Sequence, residues 1–370
     1  MSQSAPKVRF GVVGLGHFAQ VAVLPAFKRL KNAELVALFS GDAEKRIELG
    51  ERYEVEHALG YDEFDTFLSR GVIDAVYIAV PNNLHKEYTL RAARAGVHVL
   101  CEKPMAIDSA ECEAMIEACR TKDVKLMVAY RLHFEPSNLE VMELVRSGHI
   151  GDARLFNSVF AMQVRADNIR TEGELGGGPL YDIGVYCINA ARTVFGTEPI
   201  EVTALETRSD DPRFREVEEQ LAAVLKFPGG RLATFAVGFS SEHVARYEVF
   251  GTGGSIKVDP AFGYDGAISY EVTTGGSTEK RSHSKRDQIA GEVHYFADCV
   301  LNDLQPEPSG LEGLCDVRVI EALFRSAREG KSVELVPFDR GRGPELSQAR
   351  GVRAHSEPEI VNVEPPRLGK

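Results

Sequence analysis

Phe10-Gly11-Val12-Val13-Gly14-Leu15-Gly16-His17-Phe18-Ala19-Gln20 is the stretch on which the reading of this chain turns. Val8, Phe10, Val12 and Val13 form a short β-rich run ending in a glycine turn, and the amphipathic run Phe18–Leu30 predicts a helix after it. Strand, then Gly14-x-Gly16-x-x-Ala19, then helix is the context in which a glycine fingerprint marks dinucleotide binding. Gly14 permits the tight turn, and Gly16 lets backbone N–H groups approach a pyrophosphate at the helix N-terminus. Ala19 is small enough for close helix–strand packing, and His17 and Phe18 sit within the same cofactor-binding loop. The rival reading is an ordinary β–turn–helix with two glycines. The rest of the chain weighs against it.

With 370 residues the chain is long enough for two domains, each burying its own core. A composition of 44% hydrophobic and 26% charged residues is that of a soluble globular protein. The net charge is −12 and no long basic block occurs, which argues against a nucleic-acid partner but leaves room for a basic pocket that holds one phosphate. Six cysteines show neither a C-x-x-C pair nor zinc spacing, so reduced thiols, a cytoplasmic location and no metal are expected. Six residues precede Lys7, too few for a signal peptide, and no run is long enough to span a membrane.

Ala33–Phe39 is a second apolar run, closed by Ser40-Gly41-Asp42. In an NAD-binding fold the tip of this strand carries an acid that binds the adenosine ribose. Here it carries Ser40, with Lys45 and Arg46 within a helical turn. A hydroxyl and two cations suit the 2′-phosphate of NADP, and Ser40, Gly41, Lys45 and Arg46 are assigned to it. Asp42 as a ribose acceptor, with the two cations merely solvated, is the alternative.

Val72–Val80, Val97–Leu100 and Lys125–Ala129 read as further buried strands separated by helices (Lys86–Ala95, and Ser109 to Thr121). Strands alternating with helices indicate a parallel sheet covered on both faces, with ligands at the carboxyl ends of the strands. Three polar clusters fall at such ends: Pro81-Asn82, with His85 just after; Glu102-Lys103-Pro104; and Tyr130-Arg131. Past Arg131 the character changes. A helix (Glu135–Ser147), a strand (Ala153–Met162) and a polar stretch (Arg165–Glu174) lead to Gly176-Gly177-Gly178-Pro179 and a helix over Leu180–Phe195. Asp182, Tyr186 and Asn189 share one face of that helix. From Ile200 the strands read as antiparallel, with Pro228-Gly229-Gly230 as a hairpin turn, and helices Ile289–Leu301 and Leu311–Glu329 close the domain. Residues 340–370 read as an extended tail.

These residues resemble the Gfo/Idh/MocA oxidoreductases. The carriers are Gly14-Leu15-Gly16-His17-Phe18-Ala19, Pro81-Asn82-Asn83-Leu84-His85, Glu102-Lys103-Pro104 and the run from Gly176 to Tyr186, in order over residues 7–337. Tyr186, Ala129–Pro136 and Ser40–Lys45 are most similar to the sugar-oxidising branch of glucose–fructose oxidoreductase and the aldose oxidoreductases. The resemblance implies an α/β fold: a Rossmann NADP-binding domain (1–131), an α+β substrate and oligomerisation domain with a large, mostly antiparallel, open-faced sheet (132–337), and the tail (338–370). It implies a homodimer or homotetramer, and hydride transfer between C1 of an aldose and the nicotinamide, in which a second sugar could be reduced on the same cofactor. Pro81, Asn82, His85, Glu102, Lys103, Arg131 and Arg170 join the cofactor contacts; Lys103, Arg131, His133, Arg165, Asp182 and Tyr186 are the substrate contacts.

Hydride transfer leaves a proton to be moved at the sugar oxygen, which Tyr186 would handle as acid/base. The Lys103 ammonium would favour the phenolate and Asp182 would orient the lysine or a sugar hydroxyl. Taken singly, Asp182 reads as a helix-terminal carboxylate and Tyr186 as a packing tyrosine. Two rivals stay open: a dihydrodiol dehydrogenase-like or biliverdin reductase-like enzyme on the same fold, and a non-catalytic NADP-binding sensor. The intact set Lys103, Asp182 and Tyr186 argues against the sensor. The polar residues Arg131, His133, Arg165, Arg170 and Asn189 suit a polyhydroxylated ligand over a flat aromatic one.

Overall fold

Short apolar runs with glycine or polar turns at their ends pair into a parallel sheet in the computed structural model, which describes residues 6–356 and 358–368. Its strands are β1 (Val8–Val13), β2 (Ala33–Phe39), β3 (His57–Leu59), β4 (Ala75–Ile78), β5 (His98–Cys101) and β6 (Leu126–Val128). They are ordered β3-β2-β1-β4-β5-β6. The chain winds outward from β1 in both directions, so the switch point of the sheet lies between β1 and β4 and opens at their carboxyl ends. β4 is buried at every position, as a strand covered on both faces must be. The chain divides into two compact units, and this sheet belongs to the first, which comprises the chain up to Arg131 with Asp287–Gly313 and Arg350–Pro365.

Two features of this unit depart from the expected course. The helix after the glycine turn is a π-helical turn, Ala19–Val23, running into a four-residue α-helix, Leu24–Phe27. Pro25 has no N–H for the carbonyl of Val21. That carbonyl instead meets His355 Nε2 at 2.9 Å, while His355 Nδ1 lies 2.9 Å from Asp287 Oδ2, and the hydrogen bond to Asp287 raises the imidazole pKa against the effect of burial. The other departure is the helix Gln288–Leu301, expected with the second domain. Its buried Ile289, Val293 and Phe296 serve the first unit, and Phe296 meets Phe10 of β1 at 6.2 Å between ring centroids.

Residues of the tail follow the same unit in extended form. Arg29 donates to the carbonyls of Arg353 and Ala354 at 2.7 and 2.8 Å. Gln20, almost wholly buried, donates to the carbonyls of Leu15 and Val361 (3.0 and 2.9 Å) and accepts the Val361 N–H at 2.7 Å.

The second unit holds β7 (Ala153–Gln163), β8 (Glu201–Thr207), β9 (Gln220–Phe227), β10 (Arg231–Gly238), β11 (Ser240–Gly251), β12 (Gly254–Val258), β13 (Ser269–Thr274), β14 (Ser277–Ser282) and β15 (Val333–Glu334). Their order is β14-β13-β12-β11-β7-β10-β9-β8-β15. Every pairing is antiparallel except β7 with β10, so the sheet is mixed. Gly229 and Gly230, both at positive φ, make the β9–β10 hairpin turn. The polar edge strand β14 carries no apolar alternation, so periodicity does not announce it. Along β9, Leu221, Ala223, Leu225 and Phe227 are buried while Ala222 and Val224 are exposed. Leu155, Leu205, Leu232 and Ala236 are exposed too, leaving one face partly apolar and open. No helix among the described residues is long and apolar enough to cross a membrane.

Candidate active site

The glycine turn is built to bring a phosphate close to backbone. Gly14 has φ +95°, and a Cβ there would stand 2.6 Å from the Ala79 carbonyl oxygen. Only glycine fits between β1 and the end of β4. A Cβ on Gly16 would meet nothing within 4 Å, so the backbone there borders open space at the start of a helix. Ala19 is buried, as close helix–sheet contact requires, and His17 and Phe18 are half-buried beside it. These residues fit the pyrophosphate of a dinucleotide.

At the tip of β2, Ser40 Oγ accepts the Asp42 N–H at 3.2 Å and Arg46 donates to the Ser40 carbonyl at 2.7 Å. Asp42 caps the helix Ala43–Arg52, its Oδ1 accepting the N–H groups of Glu44 and Lys45 at 3.0 and 3.1 Å. Its Oδ2 lies 3.7 Å from Lys45 Nζ. The Lys45 N–H, helped by the Lys45 charge, holds its carboxyl below the usual range against the opposing effect of burial. The helix cap thus engages Oδ1 of Asp42, while Oδ2 faces Lys45. Arg46 beside Ser40, with Lys45 on the same first turn, leaves a cationic strand tip suited to a phosphate.

Pro81 and Asn82 open the turn after β4, where the Pro81 carbonyl accepts the Leu84 N–H at 2.9 Å. His85, expected to touch the cofactor, is fully buried; its Nδ1 lies 2.9 Å from the Pro104 carbonyl and Nε2 3.0 Å from that of Val80. Burial lowers its pKa. It ties the turn after β4 to the turn after β5 and acts on any ligand only through them. Glu102 is likewise a buried support, accepting the Lys103 N–H at 3.1 Å, while Lys103 itself is half-buried at the carboxyl end of β5. The Lys103–Pro104 peptide is cis. Arg131, 4% exposed, donates to Gln288 Oε1.

In the second unit, the glycine run fixes the start of the helix that carries Asp182 and Tyr186. The N–H groups of Gly177 and Gly178 donate to the carbonyls of Glu172 and Arg170, at 3.0 and 2.8 Å. A Cβ on Gly177 would stand 2.6 Å from the Arg170 carbonyl. Close contact of these backbones brings Arg170 to Asp182, whose Oδ2 accepts from Arg170 Nε at 2.7 Å. Arg170 was expected on the cofactor; the pair makes it a partner of Asp182. The predicted single helix is a π-helical turn, Leu180–Gly184, followed by an α-helix, Val185–Phe195. Glu218, which no motif marks, accepts the Leu180 N–H at 2.9 Å, and burial pushes its pKa up to about 7. Tyr186 is half-buried, its ring 5.8 Å from that of Phe160 and 5.9 Å from that of Phe262.

His133 and Asn189, expected near the substrate, meet each other inside the second unit. His133 is fully buried, with Nε2 2.9 Å from Asn189 Oδ1; Asn189 donates to Asp316 at 3.0 Å, and Arg192 joins Asp316 to Glu198. Their polar atoms satisfy one another inside the unit, which is the usual condition for buried polar groups. Arg165 lies half-buried just past β7, its backbone N–H donating to the Pro366 carbonyl at 3.0 Å. Tyr77, Glu292 and Gln20, all buried polar side chains, belong to no sequence motif either. A glutamate inside the apolar run Ile289–Phe296 was the available signal for Glu292.

Residues 8–130 match the oxidoreductase family with an NAD-binding Rossmann fold, and residues 138–257 match the GFO/IDH/MocA C-terminal domain. The chain belongs to the GFO/IDH/MocA oxidoreductases. It is similar to the NADP(+)-dependent D-xylose 1-dehydrogenase of Haloarcula marismortui, at 32% identity over 336 residues, 89% of this chain and 93% of that one. Among solved structures it is similar to the aldose–aldose oxidoreductase of Caulobacter crescentus complexed with glycerol. There the identity is 38% and the TM-score 0.85, over 89% of this chain and 100% of that one. KijD10, a 3-ketoreductase of Actinomadura kijaniata solved with NADP and TDP-benzene, is 28% identical at a TM-score of 0.80, over 86% and 98% of the two chains.

Proposed function

We propose that the protein is an NADP-dependent sugar oxidoreductase that oxidises the C1 hydroxyl of an aldose to the aldonolactone. The observation that carries this reading is the serine–arginine strand tip at Ser40 and Arg46, joined to a glycine cradle, in a chain similar to aldose and xylose oxidoreductases. Bound NADP supplies the hydride acceptor. Gly14, Gly16 and the start of the following helix hold its pyrophosphate; Ser40, Lys45 and Arg46 hold the 2′-phosphate. Tyr186, as the phenolate, takes the proton from the sugar hydroxyl and becomes the neutral phenol. The Lys103 ammonium favours the phenolate before that transfer and donates to the reacting oxygen. Asp182, paired with Arg170, contributes a hydrogen-bond acceptor to a further hydroxyl.

The finer reading is a cycle in which one sugar is oxidised and a second is reduced without release of the cofactor. Purified protein, dialysed and given no cofactor, is expected to keep a nicotinamide absorbance band and to bleach or regain it when one aldose and then another is added. Oxidation of a trans-dihydrodiol but of no aldose would overturn the sugar assignment.

Ser40→Asp sets a carboxylate where the phosphate dianion is assigned. NADP affinity is expected to fall on the order of 10- to 100-fold, as like charges meet a few ångströms apart, with NAD gaining relative to it. Unchanged NADP binding in a fluorescence titration would place the phosphate elsewhere.

The open face of the second sheet, with Leu155, Leu205, Val224 and Leu232 exposed, is assigned to self-association. Light scattering at micromolar concentration is expected to give at least a dimer mass, and Leu232→Lys is expected to lower it. A wild-type monomer would refute this.

A further inference from the structure

Behind Lys103 runs a buried polar chain that the chemistry above does not use. Tyr77, on β4, is fully buried, and its Oη stands 2.6 Å from Glu102 Oε1 and 2.9 Å from Glu292 Oε1. Glu102 Oε2 accepts the backbone N–H of Lys103. Glu292, on the helix Gln288–Leu301, is fully buried, and its Oε2 has no hydrogen-bond partner among the described residues.

A phenol has a single hydrogen to give. With both carboxyls ionised, that hydrogen would serve one of them, and across the other contact two oxygens would face each other with lone pairs alone. A second proton must therefore sit in the chain. Burial pushes the Glu102 carboxyl up as well, but it has the Lys103 N–H on one oxygen and the charges of Lys103 and Arg131 nearby, all of which pull it back toward the ionised form. Glu292 has a bare second oxygen. Its burial, and then the charge of Glu102, push its carboxyl well above the usual range, against the pull of Tyr77 and Arg131.

We propose that Glu292 is a positioning residue that works as a neutral acid, its O–H donating to Tyr77 Oη, Tyr77 donating to Glu102, and the Glu102 carboxylate thereby held on the backbone of Lys103. The groups around it are Tyr77 from β4, Glu102 and Lys103 from the turn after β5, and Arg131 from the end of the β6 loop. On its own helix stands the N-cap Asp287, which is itself engaged by His355 from the tail. With Glu292 neutral, the chain Tyr77, Glu102 and Glu292 sets a single negative charge, that of Glu102, beside Lys103 and Arg131. The part of the proposal that concerns turnover rests on the role given to Lys103 above.

Infrared absorption of the full-length protein with NADP bound tests the proton itself, with no reference to turnover. At mildly alkaline pH the wild type is expected to show a protonated-carboxyl band that Glu292→Gln removes. In sugar oxidation, Glu292→Ala is expected to lower kcat on the order of 10- to 100-fold, the effect of a small misplacement beside the reacting atoms. Glu292→Gln, a neutral group of the same shape, is expected to restore it with the pH profile of the wild type. Absence of the band, or a Glu292→Gln profile displaced along the pH axis, would show an ionised Glu292 and overturn the proposal. Should that variant fail to fold, Tyr77→Phe serves instead: the acid loses its acceptor and its band must move to higher frequency, and a spectrum that stays put overturns the proposal equally. Failure of the band is thus separable from failure of Lys103 to act on a sugar.

Discussion

Tyr186→Phe is expected to cut kcat for aldose oxidation on the order of 10²–10⁴-fold, the usual worth of a general acid/base. In free energy this is about 3–5 kcal/mol of barrier. The substitution removes one oxygen and keeps the ring. The ring contacts with Phe160 and Phe262 are therefore retained, and neither the fold nor NADP affinity should change. Lys103→Ala is expected to lower kcat as well, and Lys103→Arg to rescue it poorly, because a planar guanidinium does not replace a compact ammonium. Steady-state kinetics with NADP saturating, beside an NADP titration of each variant, separates turnover from binding. Near-normal turnover in Tyr186→Phe would remove the tyrosine from its proposed role. His133 is no substitute, since it is fully buried against Asn189.

A second large effect is expected at the glycine turn. Gly14→Ala forces a side chain into a left-handed conformation, which costs roughly 1–2 kcal/mol. Its Cβ would also press on the backbone of Ala79, at 2.6 Å from the carbonyl oxygen and 2.9 Å from the Val80 nitrogen. Neither atom belongs to a flexible side chain, so the turn itself has to move. A displacement costing about 3 kcal/mol of binding weakens NADP on the order of 100-fold. The melting temperature should fall too, by about 1–2 °C per kcal/mol for a chain of 370 residues. Gly16→Ala is the informative contrast. A Cβ there has open space within 4 Å, so stability should hold while NADP binding falls, because the methyl group intrudes where the pyrophosphate is assigned. Native NADP affinity in both variants would show that this turn is not the cradle.

Those parts of the protein that depend on neighbours in sequence were legible without coordinates. Gly14, Gly16 and Ala19, the apolar runs that became β1, β2, β4, β5 and β6, and the hairpin glycines Gly229 and Gly230 each state a local requirement: a sign of φ, a close approach, or a strand covered on both faces. The placing of Lys103 at the end of β5 follows from the same alternation of strand and helix, as does the serine at the end of β2.

Tertiary structure decided what depends on partners far along the chain. Pro25 denies Val21 its helical partner, but that His355 would take its place, 334 residues on, is a matter of folding. The helix Gln288–Leu301 has an apolar face that would suit either sheet, and its packing against β1 put Glu292 beside Tyr77. Spacing puts Asp182, Tyr186 and Asn189 on one helix face, yet Asp182 meets Arg170 while Asn189 turns inward to His133 and Asp316. A polar side chain carries the same formula whether it faces a substrate or an interior partner. Only the folded chain shows which of the two has taken up its hydrogen bonds, because a buried donor or acceptor must be satisfied by whatever the fold brings to it.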